Sequence, residues 1–119
     1  MKSLTILFLI ICTFIQPTYD DLFNAIEIIE ADDGTNVNHI GPYQISYAYW
    51  LDSGTPGSYK DCYKKNYSKL VMVNYWRRYN REALHNKDFE TLSRLHYGGP
   101  DGPLQEETIF YWGRIKENL

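Results

Sequence analysis

Apolar residues recur with a helical period over much of the chain, and runs rich in Gly, Pro, Asp and Asn separate the periodic stretches. At about 100° per residue, Leu22, Ile26 and Ile29 mark the centre of the first apolar stripe. The stripe predicts a first helix that opens at Thr18, with Asp21 completing a capping-box-like start, and closes at Glu30. Ala31 to Asn38 reads as a turn, because its Asp, Asn and Gly residues bond their own backbone and tolerate left-handed φ. Pro42 suits the first turn of a second helix running to about Asp52, and Ser53 to Ser58 ends it as a loop. The longest periodic stretch, Ser68 to Leu84, carries Val71, Met72, Val73, Tyr75, Trp76, Tyr79 and Ala83 over more than half of its circumference. It is predicted as the central packed helix, with its aromatics in the core. Phe89, Leu92 and Leu95 stripe a fourth helix stopped by Gly98-Gly99-Pro100, and Ile109, Trp112 and Ile115 stripe a fifth. The expected fold class is mainly α: about five helices, with a short β-hairpin or irregular segment after the first.

Glu30 breaks the pattern. It falls between Ile26 and Phe23 inside the first apolar stripe, whereas Glu27 falls outside it. Burial and the negative end of the helix dipole both disfavour its ionised form and push its pKa up, which suits a general acid. The alternative is a helix-end Glu whose stem lies along the core while its head reaches water.

Composition narrows the setting. With 119 residues, 44% of them apolar and 16% aromatic, the chain builds one domain around one modest core. Lys2 followed by the apolar run Leu4 to Ile15 reads as a secretory signal over residues 1–18, leaving a domain over 19–119; an uncleaved N-terminal anchor is the other reading. Cutting after Thr18 leaves 11 basic and 15 acidic side chains, a net charge of −4, so nucleic acid is not an expected partner. No second hydrophobic span follows, so the mature chain is not expected to cross a membrane. His39, His85 and His96 have no zinc spacing, and Asp32-Asp33-Gly34 lacks the rest of a calcium loop, so neither metal nor cofactor is expected. No Ser-His-Asp signature stands out, and Ser68 beside Lys69 has no informative spacing. Cys12 lies in the expected signal and leaves Cys62 alone, either as a buried hydrophobe in a monomer or as an exposed thiol that links a dimer.

Five motifs stand in order: Gly41-Pro42-Tyr43-Gln44-Ile45 with Tyr49-Trp50-Leu51-Asp52, then Asn74 to Tyr79, Arg94-Leu95-His96-Tyr97-Gly98-Gly99-Pro100, and Thr108 to Trp112. The series, over about residues 22–119, resembles the invertebrate-type (destabilase-type) lysozymes of the lysozyme-like superfamily. The resemblance implies a lysozyme-like α+β fold with a small hairpin after the first helix. It makes Glu30 the catalytic acid of a secreted muramidase that cleaves the N-acetylmuramic acid–N-acetylglucosamine bond of peptidoglycan, in antibacterial defence or digestion. Glycoside cleavage usually needs a second carboxylate. In the family this is an Asp in the hairpin, but here the interval is shorter and no position matches cleanly. Asp32 and Asp33 are the candidates, with turn formation as their other reading, and Asp52 is a weaker substitute. Tyr43, Gln44, His96 and Tyr97 are the expected contacts to an N-acetylated oligosaccharide, and Glu30, Gln44 and Tyr97 are expected to border one pocket.

Three features depart from the family. Ala31 stands where a Ser commonly follows the catalytic Glu, Tyr97 replaces a usual Asn, and the family's dense disulfides are missing. These departures leave a second reading, a weak or inactive binding protein for wall fragments on the same fold, and a third, a secreted partner-binding helical domain.

Overall fold

A computed structural model describes residues 15–119; most of the expected signal segment, including Cys12, lies outside the described residues. Helix α1, Tyr19–Asp33, begins where the capping box predicts: Thr18 Oγ1 accepts from the Asp21 N–H at 3.2 Å, and the Asp21 carboxylate accepts from the Thr18 N–H at 2.8 Å. Leu22, Phe23, Ala25, Ile26 and Ile29 form its buried face. The helix runs on to Asp33 before Gly34 caps it at φ +80°, so Glu30 belongs to its last turn and is not its final residue.

The second helix starts later than its proline suggests. Strands β1 (His39–Ile40) and β2 (Ile45–Ser46) pair antiparallel, His39 opposite Ser46 and Ile40 opposite Ile45, and Pro42 sits in the connecting turn. Gly41 and Gln44 take positive φ of 78° and 52°, which a right-handed helix cannot contain. A Cβ at Gly41 would lie 2.0 Å from the Cys62 carbonyl oxygen, so the turn can pass there only as glycine. Helix α2 is therefore Tyr47–Ser53, capped by Ser46 Oγ on the Tyr49 N–H at 3.1 Å. The hairpin lies at 39–46, after a polar loop that begins at Gly34, since the first three residues of the expected turn, Ala31 to Asp33, continue α1.

A 3₁₀ helix at Tyr59–Tyr63 leads into α3, Lys65–Tyr79. The single helix expected over 68–84 is two. Asn80 leaves helical geometry at φ −158°, ψ 82°, and its side chain accepts from the Ala83 N–H at 2.9 Å to start α4, Arg81–His85. Helix α5 is Phe89–Gly98 and α6 is Glu107–Glu117, with a 3₁₀ turn at Gly102–Leu104 between them. The buried face of α6 is Thr108, Tyr111 and Ile115; Ile109 is half exposed, so the face that packs lies about one position before the stripe of Ile109 and Trp112.

Among the described residues there are six α-helices and one small hairpin, and the other five helices and the hairpin pack around α3. Its Val71, Met72, Tyr75 and Trp76 are buried, Trp76 Nε1 donates to the Leu92 carbonyl at 2.9 Å, and Phe23 stacks on the Trp76 ring at 5.8 Å. That arrangement ties α1, α3 and α5 together without a disulfide. Cys62 is fully buried in this core, and burial pushes its thiol up to about 11. The thiol is a packed hydrophobe, and a Cys62-linked dimer would require opening the core. No helix among the described residues is long and apolar enough to cross a membrane.

Candidate functional site

The last turn of α1 delivers Glu30 to the meeting point of α5 and α6. Its side chain is 13% exposed, and Oε1 accepts a hydrogen bond from the Tyr111 hydroxyl at 2.9 Å. Among the described residues no Lys or Arg pairs with it. Burial pushes the Glu30 carboxyl up to about 7; the Tyr111 bond pulls it back, the charge of Asp33 adds to the rise, and Arg114 offsets part of it. Among the described residues, this is the carboxyl poised to hold a proton near neutral pH.

His96 Nε2 lies 3.7 Å from Glu30 Oε1, but the pair is not an ion pair. Nε2 sits 3.0 Å from the Tyr43 carbonyl, which can only accept, so Nε2 carries the hydrogen. Nδ1 then accepts from the Tyr49 hydroxyl at 3.0 Å. Burial pushes the His96 pKa down to about 4, and the imidazole is neutral at pH 7. Tyr49 is itself fixed by stacking on Tyr75, with ring centroids 3.7 Å apart. The tyrosines around the site thus hold one tautomer of one histidine against one carboxyl group.

A cleft of about 850 Å³ opens in front of Glu30. Asp33, Asn36, His39, Gln44, Tyr97, Gln105 and Arg114 line it, so Glu30, Gln44 and Tyr97 do border one cavity. It continues past His39, Gln44 and Tyr97 into a depression of about 220 Å³ along α2, where His96 and Asp52 contribute. The expected residues are placed unequally. Tyr97 is 53% exposed and stacks on Tyr111 with centroids 4.4 Å apart. Gln44 stitches the loop after α1 to the hairpin: its Oε1 accepts from the Asn36 N–H at 3.1 Å and its Nε2 donates to the Gly41 carbonyl at 2.8 Å, leaving one amide hydrogen for a ligand. The Tyr43 side chain is fully buried against Phe23, so its phenol does not line the cleft and only its carbonyl serves the site.

The two candidate second carboxylates part company. Asp33 faces the cleft and accepts from Arg114 Nη1 at 2.7 Å. Asp32 is 76% exposed, lies 3.6 Å from Arg114 Nη2 and does not line the cleft. Tyr111 and Arg114, one turn apart on α6, are the two residues touching Glu30 and Asp33 that the sequence pattern does not single out. Phasing the last helix on Thr108, Tyr111 and Ile115 would have found them, because that face brings both to the end of α1. Among the described residues no cluster of His, Cys, Asp and Glu could hold a metal ion.

A family model described as Destabilase matches residues 27–118. The chain is similar to a lysozyme of Meretrix lusoria, 40% identical over 79 residues that cover 65% of each protein. It is also similar to lysozyme 1 of Crassostrea virginica, 34% identical over 83 residues that cover 68% of this chain and 45% of that protein. An invertebrate-type lysozyme of Ruditapes philippinarum is 35% identical over 79 residues, covering 65% and 58%. The chain thus spans less than two thirds of the length of these relatives. Among solved structures it is similar to a chain in the crystal structure of Aeromonas hydrophila PliI in complex with Meretrix lusoria lysozyme, with a TM-score of 0.66 and 30% identity over 82% of this chain and 87% of that one.

Proposed function

The chain belongs to the Destabilase family, and on that premise we propose that it is a secreted lysozyme-like glycoside hydrolase. Its substrate is bacterial peptidoglycan, cut between N-acetylmuramic acid and N-acetylglucosamine. The names of its relatives support the activity. The observation that carries it is a Glu30 carboxyl held at about 7 on the wall of a cleft whose 850 Å³ suits a short run of sugars.

The chemistry runs from that carboxyl. A sugar ring lies on the exposed face of Tyr97, and the remaining Gln44 amide hydrogen reads an N-acetyl group. Glu30 protonates the glycosidic oxygen as the bond to the anomeric carbon breaks. Asp33, oriented by Arg114, faces the positive charge that develops on the ring. Water then completes hydrolysis and Glu30 recovers a proton from it. Asp32 has no part in this, being outside the cleft. Residues 1–18 serve as the secretory signal and 19–119 as the catalytic domain, which places the enzyme outside the cell; the basic start and apolar run of residues 2–15 support this.

One observation favours a second reading. The Asp33 carboxylate is already engaged by Arg114 at 2.7 Å, which suits a protein that grips wall fragments with weak or no cleavage. Mass analysis of fragments from purified peptidoglycan separates the two. Soluble muropeptides with a reducing N-acetylmuramic acid end are expected. Co-sedimentation with intact walls and no released fragment would replace the hydrolase with the binding protein.

A further inference from the structure

The two oxygens of Glu30 are not equivalent. Oε1 accepts from the Tyr111 hydroxyl at 2.9 Å, and His96 Nε2 flanks the same oxygen at 3.7 Å. Oε2 has no hydrogen-bond partner among the described residues, yet it is not one of their buried unpartnered side-chain atoms, which are Tyr43 Oη and Ser93 Oγ. It is therefore open to solvent, and the spaces that Glu30 borders are the cleft and a smaller depression of about 230 Å³ beside Gly41 and Gln44. Tyr111 is 3% exposed, and its ring is held by the stack with Tyr97 at 4.4 Å and 18° between planes. A hydroxyl so fixed has little freedom to turn from Oε1.

The other groups facing this carboxyl do not share that task. His96 from α5 has its Nε2 hydrogen committed to the Tyr43 carbonyl. Arg114 from α6 is engaged by Asp32 and Asp33, and Asp33 from α1 offers only acceptor oxygens. His39 from β1 lines the cleft without a bond to Glu30, and Tyr49 from α2 reaches it only through His96.

We propose that Tyr111 is a positioning residue for the acid: by donating to Oε1 of Glu30 it keeps the transferable proton on Oε2, the oxygen left free to meet the substrate. This rests on the reading of Glu30 as the acid. When the proton passes from Oε2 to the glycosidic oxygen, the electron pair of the broken bond to the anomeric carbon stays on the leaving sugar, and the new carboxylate keeps the Tyr111 bond on Oε1. The Tyr111 proton does not move. The same bond strengthens as charge builds on the carboxylate, so it also limits how far burial raises Glu30. Because Tyr97 lies on the Tyr111 ring, a sugar bound on Tyr97 presses on the residue that aims the acid.

The test is Tyr111→Phe, which keeps the ring and its stack while removing the hydroxyl. Glu30 is followed by 13C NMR titration of side-chain-labelled glutamate, assigned through its loss in Glu30→Gln. The titration midpoint is expected to rise by about one pH unit in Tyr111→Phe. The alkaline limb of wall lysis should move up with it while the maximal rate falls by roughly tenfold. An unchanged or lowered midpoint would overturn the proposal, whether or not the protein lyses walls. A missing lytic activity with a shifted midpoint would instead count against the hydrolase reading and leave the Tyr111 bond in place. Should Tyr111→Phe fail to fold, the wild type answers: the Tyr111 Cζ resonance must titrate with the Glu30 midpoint, and its indifference to that step would sink the proposal.

Discussion

Glu30 and Asp33 are one turn apart on the same helix, line the same cleft, and live in opposite electrostatic worlds. Glu30 is 13% exposed with a neutral phenol on one oxygen and a neutral imidazole nearby. Asp33 is 39% exposed and paired at 2.7 Å with a guanidinium. Burial without a counter-ion favours the neutral form of Glu30, whereas the carboxylate of Asp33 has a guanidinium against it. In the proposed mechanism these surroundings would assign Glu30 the proton donor's part and Asp33 that of a charge facing the ring. Identity as Asp or Glu would not.

The sharpest way to expose this difference is through pH and stability. The folded-state pKa of Glu30 is about 7 against 4.5 for the ordinary group, so the native state binds its proton more tightly than the unfolded chain does. Its penalty is absent below about pH 4.5, grows as pH rises, and is complete above about 7, where it costs roughly 3 kcal/mol. Glu30→Gln should therefore be more stable than wild type by about that amount at pH 8 and equal to it at pH 4, read by denaturant unfolding at each pH. His96 works the other way. Its folded pKa of about 4 lies below the usual 6.5, so its stability contribution is full above about 6.5 and is lost as pH falls through 4. The substitution removes only the first slope, which is why the difference between the two proteins is the quantity to measure.

Breaking the other half of the comparison should cost activity. Asp33→Asn is expected to slow wall lysis by roughly ten- to a hundredfold, because it removes the charge facing the developing cation. It should also lower the Glu30 midpoint, since Asp33 is one of the causes of its rise. Asp32→Asn, outside the cleft, should change lysis less than about twofold. Equal effects of the two would erase the distinction drawn from their positions.

Tyr97→Ala probes the shared wall. About half of that residue is already exposed, so its loss should weaken chitin-type oligosaccharide binding by roughly tenfold in calorimetry while lowering stability by about 1 kcal/mol or less. The smallest effect belongs to Glu27, which meets Lys65 at 2.9 Å on the outer side of the apolar stripe. Glu27→Gln should shift stability by less than about 1 kcal/mol and leave lysis unchanged.

Much of this was legible in the chain because burial has a period. The phase of Leu22, Ile26 and Ile29 places Glu30 against the core from sequence alone, and Thr18 with Asp21 marks the start of the helix. The errors fall where a local contact outweighs the pattern. Pro42 looks like a helix start, but Gly41 must pass against the Cys62 carbonyl, and that close approach makes the segment a hairpin turn. Asn80 is unremarkable in a periodic run, yet its side chain caps a new helix and splits the old one. Tyr111 and Arg114 were hidden for a different reason. Ile109 and Trp112 make a more apolar stripe than Thr108 and Tyr111, so periodicity phases the last helix on the first pair while the fold turns the second pair inward. Sequence leaves the second carboxylate open between Asp32 and Asp33, because adjacent residues point about 100° apart on a helix and only the fold turns Asp33 to the cleft.

The most direct measurement compares wild type and Glu30→Gln in the clearing of a bacterial wall suspension near pH 6, with circular dichroism showing that both are folded. If Glu30 is the acid, the substitution removes at least about a hundredfold of the rate while the protein remains folded and, at higher pH, becomes more stable. Equal clearing by the two folded proteins would contradict the role of Glu30 and, with it, the division of labour between Glu30 and Asp33.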